Sequence, residues 1–78
     1  MVQVGKKYKT VGGWEALAIY VNHTQDLFWA IHAPHTPNES APIMHQINGM
    51  AIPQLAVGEP PRFNHTLPAD VIVTEEVK

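Results

Sequence analysis

The sequence predicts a small all-β domain, an antiparallel sheet or barrel-like fold of about five to six short strands. Its 78 residues include seven prolines and five glycines, which fall mostly between short apolar runs, a spacing typical of strands rather than helices. Two Pro-rich stretches, 34–42 and 58–70, cannot continue a β-ladder and are predicted to be long loops. The length fits one β-rich domain over residues 1–78.

The first two strands are predicted on either side of a glycine pair. Lys7–Val11 reads as a strand, and Gly12-Gly13 suits a two-residue hairpin turn. Trp14–Val21 then alternates, with one face carrying Leu17, Ile19 and Val21 and the other carrying Ala16, Ala18 and Tyr20. A helical stripe of Trp14, Leu17, Ala18 and Val21 is the alternative, but the short length and the Ile-Tyr-Val ending favour a strand.

The third strand is predicted to be central in the sheet. Asn22–Asp26 forms a polar turn, and Leu27–Ala33 is the strand that follows it. One face carries Leu27, Trp29 and Ile31, and the other carries Phe28, Ala30 and His32. Because both faces are largely apolar, we expect cover on two sides, and a second subunit is one candidate for the second cover.

The second half of the chain contains a predicted hairpin and a closing strand. Pro42–Ile47 leads into Asn48-Gly49, a strong hairpin signal, and Met50–Ile52 returns along the partner strand until Pro53 limits it. The last strand is Val71–Val77, with its valines on one face.

Composition limits both the core and the partners. The chain has no cysteine and therefore no disulfide to compensate for a small core, which leaves a metal, tight packing or homo-oligomerisation. The net charge of −2 argues against binding a nucleic-acid polymer. Lys6, Lys7 and Lys9 form a short basic run. It fits either an edge strand protected by lysines or the steering of a small anion.

Location is predicted from missing signals. No stretch approaches the roughly 20 apolar residues of a membrane span, and the N-terminus lacks the pattern of a secretory signal. We therefore expect a cytoplasmic protein with no membrane partner. Three triplets match the N-glycosylation pattern, and we interpret them as turns: Asn22-His23-Thr24, Asn38-Glu39-Ser40 and Asn64-His65-Thr66.

Histidine is the most unusual component of the sequence, with five residues in all. His32 and His35 are spaced H-x-x-H, and His45 follows ten residues later. Three imidazoles on neighbouring strands could bind zinc and stabilise the fold. The alternative is that they are ordinary polar loop residues and half-buried strand residues.

Nucleophilic catalysis has little support, and we expect no enzymatic activity. Ser40 is the only serine, and it lies in a Pro-rich loop without a nucleophile elbow. Asp26 and Asp70 are isolated beside turns, where aspartate is ordinary. A catalytic site needs several convergent groups in a pocket, for which a domain this small has little room.

The strongest candidate binding segment lies in the second long loop. Arg62 is the only arginine, and its planar fork suits a phosphate or carboxylate. Phe63 could stack on a base, while Asn64 or Thr66 could read polar edges. The alternative is that Arg62 pairs with Glu59 and that Phe63 caps the core.

Parts of the chain resemble a known group of proteins. Gly5–Ala16, with its Tyr-basic-Thr strand and glycine turn, looks like the opening of many short phage proteins. Further along, Ala30–His32 and the His45–Gly49 hairpin resemble the same group. In size and β-rich character this group resembles phage anti-defence sponges, which sequester cyclic nucleotides or ADP-ribose derivatives without cleaving them. The resemblance implies a homo-oligomer with ligand pockets between subunits.

The leading hypothesis is therefore a phage anti-defence protein that sequesters a nucleotide-derived immune signal in the host cytoplasm, without a cofactor. The predicted ligand-binding residues are Arg62, Phe63, Asn64, His65, Thr66, Trp14 and His32. One alternative is a protein-binding inhibitor or minor structural phage protein with no small ligand. Another is a small domain stabilised by zinc on the candidate ligands His32, His35 and His45.

Overall fold

A computed structural model describes residues 2–52, 58 and 66–77 and confirms the all-β class. The strands are β1 (Lys7–Thr10), β2 (Glu15–Asn22), β3 (Leu27–His32), β4 (Ile43–Gln46) and β5 (Val71–Val77). They form one antiparallel sheet, in the order β4-β3-β2-β1-β5, that curls into a half-barrel. These bounds lie within one residue of the predicted ones. The described residues contain no helix that could cross a membrane.

The turn between β1 and β2 has three residues, so the predicted two-residue hairpin is wrong. Thr10 pairs with Trp14, since the Thr10 amide donates to the Trp14 carbonyl at 2.8 Å. The Gly13 amide donates to the Thr10 carbonyl at 3.0 Å, and Gly13 has a φ of +94°. A tight turn followed by a left-handed glycine matches the twist of the two strands.

The turn after β4 repeats this geometry. Gln46 pairs with Met50, and the Gly49 amide donates to the Gln46 carbonyl at 2.8 Å with a φ of +99°. Met50–Ile52 runs back beside β4 as predicted, because the Ile52 amide also donates to the Met44 carbonyl at 2.9 Å and His45 pairs with Ala51, but the paired stretch is too short to form a sixth strand. The hairpin signal at Asn48-Gly49 is therefore confirmed in place, with one more residue in its loop.

A bulge in β2 changes which side chains face the core. The β2–β3 register shifts between Ala18 and Tyr20. Ala18 is buried, Val21 packs against the core, and Tyr20 is 55% exposed. The prediction that Tyr20 shares a face with Ala18 is wrong because the extra residue reverses the alternation beyond it.

The core lies on the inner face of the curled sheet. It is built from Val2, Tyr8, Ala16, Ala18, Phe28, Ala30 and Val71. Alanines at the centre leave room for the large rings of Tyr8 and Phe28 on a strongly curved surface. The alternation predicted for β3 is confirmed, because Phe28 is fully buried while Trp29 is 37% exposed on the opposite, outer face.

The basic run lies inside the sheet. β1 pairs with β2 on one side and β5 on the other, so the edge-strand interpretation of its lysines is wrong. The Lys6 Nζ lies 3.3 Å from Glu76 Oε1, and the Lys7 Nζ lies 3.6 Å from Glu15 Oε2. These exposed ion pairs add little stability.

Two residues join the open end of the half-barrel. The Gly49 carbonyl accepts the Val71 amide at 2.8 Å. The buried Asp70 carboxylate accepts the amides of Ala51 and Leu67, each at 2.8 Å. We call the Gly49–Val71 and Ala51–Asp70 hydrogen bonds the closure contacts, because they connect the segment after β4 to the start of β5. The Leu67–Asp70 hydrogen bond lies within the turn that leads into β5. Asp70 lies beside a turn, as expected, but the structure gives it this further role.

Candidate functional site

A cavity of about 340 Å³ opens at the end of the sheet where β2 begins and β3 ends. We call it the Trp14 cavity. Its lining residues are Trp14, His32, Ala33, Asn38, Ser40, Ile43 and Ala69. Its volume lies at the lower end of the range for small-molecule sites, about 300–1,000 Å³.

Trp14 is held in place from three directions. Its indole N–H donates to His32 Nδ1 at 3.0 Å, and its backbone amide donates to Thr10 Oγ1 at 3.1 Å. Gly12 lies so close to the ring that a Cβ there would overlap its carbon atoms. The indole therefore enters the cavity wall in a fixed orientation, which lowers the entropic cost of contacting a ligand.

We expect Gly12→Ala to displace the Trp14 indole, because the added methyl group and the ring cannot occupy the same space. In a spectrum of ¹⁵N-labelled protein, the indole N–H signal of Trp14 should shift as its hydrogen bond to His32 breaks. Val11→Ala is the matched control, since Val11 is an exposed residue of the same turn and, unlike Gly13, does not have a positive φ at which alanine is strained. An unchanged indole signal in Gly12→Ala would contradict the packing described for Trp14.

His32 connects Trp14 to the interior of the sheet. An indole N–H only donates, so His32 Nδ1 must accept and neutral His32 carries its proton on Nε2. His32 Nε2 lies 2.8 Å from His45 Nε2 and donates to it. His45 then carries its proton on Nδ1, which donates to the Gly49 carbonyl at 3.2 Å. We call this directed series from Trp14 to Gly49 the histidine chain.

The histidine chain is buried and neutral. His32 is 4% exposed, and His45, stacked on Phe28 with ring centroids 4.9 Å apart, is fully buried. Burial lowers the pKa of His32. Burial first, and then the neighbouring His32, lower the pKa of His45 to about 4, although the Gly49 carbonyl and the Asp70 charge act in the opposite direction. Both rings are therefore uncharged at neutral pH.

The structure brings two of the three candidate zinc ligands together. His32 and His45 face each other through Nε2, while His35 is exposed on the loop after β3. Two nitrogens bound to one tetrahedral zinc would lie about 3.3 Å apart, given Zn–N bonds of about 2.0 Å. The observed 2.8 Å is a hydrogen-bond distance. Among the described residues, no three His, Cys, Asp or Glu side chains form a metal-binding group.

The predicted ligand-binding residues fall into three sets. Trp14 and His32 meet in the Trp14 cavity, but both nitrogens of His32 are already engaged in the histidine chain. Thr66 is exposed and does not line that cavity. The remaining four lie outside the described residues: Arg62, Phe63, Asn64 and His65.

Sequence reasoning missed the contribution of the loop between β3 and β4. Asn38 and Ser40 supply the polar part of the cavity wall, and Ser40 Oγ accepts the His32 amide at 3.1 Å. Ala33 and His35 both have positive φ, at 51° and 62°. Non-glycine residues rarely adopt this backbone conformation, and the residue types in this loop do not predict it. The length of the loop is the one general signal of function that the sequence offers.

A second, larger cavity adjoins the first. It has a volume of about 540 Å³, and it shares Ser40, Ile43 and Ala69 with the Trp14 cavity. We call it the Trp29 groove, because Trp29 lies in its wall beside mostly apolar residues. Each of the two cavities has one indole in its wall, Trp14 in the first and Trp29 in the second, that a bound molecule could contact.

Comparison of the chain with protein families, with curated proteins and with solved structures found no match.

Proposed function

We propose that the protein binds a small nucleotide-derived signal and sequesters it intact, as a phage anti-defence sponge. The observation that carries the proposal is the Trp14 cavity, in which the indole is fixed by His32 and Gly12 before any ligand arrives. Stacking of a base on an aromatic side chain contributes about 1–3 kcal/mol. A preorganised indole supplies that energy without first having to be ordered.

The chemistry of the cavity wall suits a heterocyclic base. Asn38 offers an amide that can both donate to and accept from a base edge. The adjoining Trp29 groove provides apolar space for a second part of the ligand, such as a second base. In this proposal Arg62, which lies outside the described residues, binds phosphate through its planar guanidinium.

The polar side chains at the cavity favour binding over cleavage. His32 is neutral and uses both ring nitrogens within the histidine chain. The Ser40 hydroxyl donates to the Ala41 carbonyl at 2.8 Å. Either side chain would have to give up a hydrogen bond before it could act as a base or nucleophile.

A panel of nucleotides tests the proposal directly. Cyclic mononucleotides, cyclic dinucleotides and ADP-ribose derivatives are each added to the protein, and the melting temperature is measured. A ligand at a thousandfold excess over its Kd stabilises the fold by about 4 kcal/mol, which in a domain of this size raises the melting temperature by roughly 15–30 °C. Trp14→Ala should weaken binding of the active compound about 5- to 100-fold, as loss of one stacked base implies.

Val11→Ala is the matched control, because Val11 is an exposed apolar residue of the same turn and does not line the cavity. Its affinity should equal that of the unmodified protein. Chromatography of the bound compound after release should return it unchanged. A hydrolysed product would contradict sequestration, and no stabilisation by any nucleotide would contradict nucleotide binding.

The outer face of the sheet supports a homo-oligomer within the same proposal. Ile19, Tyr20 and Trp29 expose 37–55% of their surface there. Their exposure agrees with the expectation that a second subunit covers β3. Native mass spectrometry of the protein gives its subunit number and any retained ligand together.

The same apolar face favours the alternative function, a protein-binding inhibitor or a minor structural component of a phage. Both alternatives would use the outer face and leave the Trp14 cavity without a nucleotide. A monomer that ignores every nucleotide but copurifies with one host or phage protein would favour this alternative.

A further inference from the structure

The histidine chain connects the wall of the Trp14 cavity to one of the closure contacts. At one end, the Trp14 indole depends on His32 Nδ1 as its acceptor. At the other, His45 donates to the Gly49 carbonyl, which also accepts the Val71 amide. A change in the protonation of either ring therefore acts on the cavity wall and on a closure contact together.

The chain has no room for an additional proton. A proton on His32 Nδ1 would face the Trp14 indole N–H, and a proton on His45 Nε2 would face the N–H of His32. Each case replaces a hydrogen bond by a donor–donor contact in a buried site, where an unsatisfied charged donor is costly. The contact is relieved when the Trp14 indole leaves His32 or when the His32 and His45 rings separate, and separation also moves the His45 Nδ1–H that bonds the Gly49 carbonyl.

On balance, the surroundings of His45 favour its neutral form. The β3 side of His45 provides Phe28 and His32, and the turn after β4 provides the Gly49 carbonyl. Among the described residues, the charge that acts on His45 in favour of protonation is that of Asp70, whose two carboxylate oxygens already accept the amides of Ala51 and Leu67.

We propose that the histidine chain is an acid-operated latch: uptake of one proton by the His32–His45 pair releases the Gly49–Val71 closure contact and frees the Trp14 indole. This latch operates in the ligand-free protein, so it stands independently of the proposed nucleotide binding. In a protein that does bind a ligand in the Trp14 cavity, acidification would also release that ligand.

The direction of the pH dependence follows from the pKa values. The pKa of folded His45, about 4, is lower than the 6.5 of an unfolded histidine, so the unfolded or opened state binds more protons between these values. Stability is complete above pH 6.5 and falls as the pH decreases towards 4. Between pH 7.5 and pH 5, the equilibrium constant for the closed state should decrease about 30-fold.

Nuclear magnetic resonance of the ligand-free protein between pH 7.5 and pH 3.5 tests the latch. At the upper pH, His32 should be the Nε2–H tautomer and His45 the Nδ1–H tautomer. On acidification, the Trp14 indole and the Val71 amide should change with one common midpoint. The Gly5 amide donates to the Ala18 carbonyl at 2.8 Å and is not part of the histidine chain. Its signal should not change with those of Trp14 and Val71.

The exposed histidines provide the matched controls. His23→Gln and His35→Gln should leave this midpoint unchanged, because neither residue belongs to the histidine chain. The reverse tautomers, or titration of His32 and His45 at the ordinary value for histidine, would overturn the latch. A simultaneous change at Gly5 and Val71 would also overturn it, because that result means global acid unfolding instead of a local opening.

Discussion

Gly49→Ala is expected to remove about 4 kcal/mol of stability and to lower the melting temperature by roughly 20 °C. Gly49 has a φ of +99°, and a Cβ there would overlap the Val71 carbonyl oxygen. Backbone atoms cannot rotate away as a flexible side chain can. The turn must therefore move, which breaks the Val71–Gly49 hydrogen bond and withdraws the acceptor of His45.

Gly13→Ala is the control for the backbone conformation alone. Gly13 occupies the same position in the other three-residue turn, with a φ of +94° and nothing within 4 Å of an added Cβ. Its substitution should cost about 1–2 kcal/mol, the usual penalty for a left-handed alanine. Urea denaturation of the two variants measures the difference. Equal losses would mean that the close approach of Gly49 to Val71 contributes nothing.

The comparison of these two turns shows how far the sequence predicts the fold. Both turn dipeptides, Gly12-Gly13 and Asn48-Gly49, mark hairpins correctly, because each combines the conformational freedom of glycine with flanking strand residues. The loop length is not contained in the dipeptide. It depends on which residues pair across the strands, and a single glycine can end either a two-residue or a three-residue loop.

Long-range pairing accounts for the other differences. The lysines of β1 look like edge residues until β5, more than sixty positions along the chain, pairs beside them. The bulge after Ala18 goes with the curvature of the whole sheet, and it turns the Tyr20 side chain to the outer face. Local alternation carries no information about either feature.

The sequence predicted which residues of the candidate site face inward, but it did not predict the hydrogen bonds between them. Alternation along β3 places His32 inward beside Phe28 and Ala30, as the structure confirms. Its bonds to Trp14 and His45 span 18 and 13 positions and depend on the register of three strands. Residue type alone suggested a metal ligand, whereas the strand register makes His32 a relay of hydrogen bonds.

Asp70→Ala is expected to remove about 3–4 kcal/mol, from a total of about 4–12 kcal/mol for a chain of this length. The reason is the loss of two hydrogen bonds: the amides of Ala51 and Leu67 would lose a carboxylate acceptor in a site where Asp70 is only 7% exposed. A charged acceptor contributes about 1.5–3 kcal/mol for each hydrogen bond. Urea denaturation at neutral pH measures the loss.

Asp70→Asn separates the two hydrogen bonds made by this side chain, the closure contact with Ala51 and the turn contact with Leu67. The asparagine oxygen can still accept from Ala51, but its NH₂ group cannot accept from Leu67, so about half of the loss should remain. Glu75→Gln removes the same charge at an exposed position of β5 and should change stability by less than about 0.5 kcal/mol. If Asp70→Asn matched Glu75→Gln, Asp70 would be the ordinary turn residue that its sequence context indicates. If Asp70→Asn falls midway, both amides are anchored by the carboxylate: one oxygen holds Ala51 beside the start of β5, and the other fixes the turn that leads into β5.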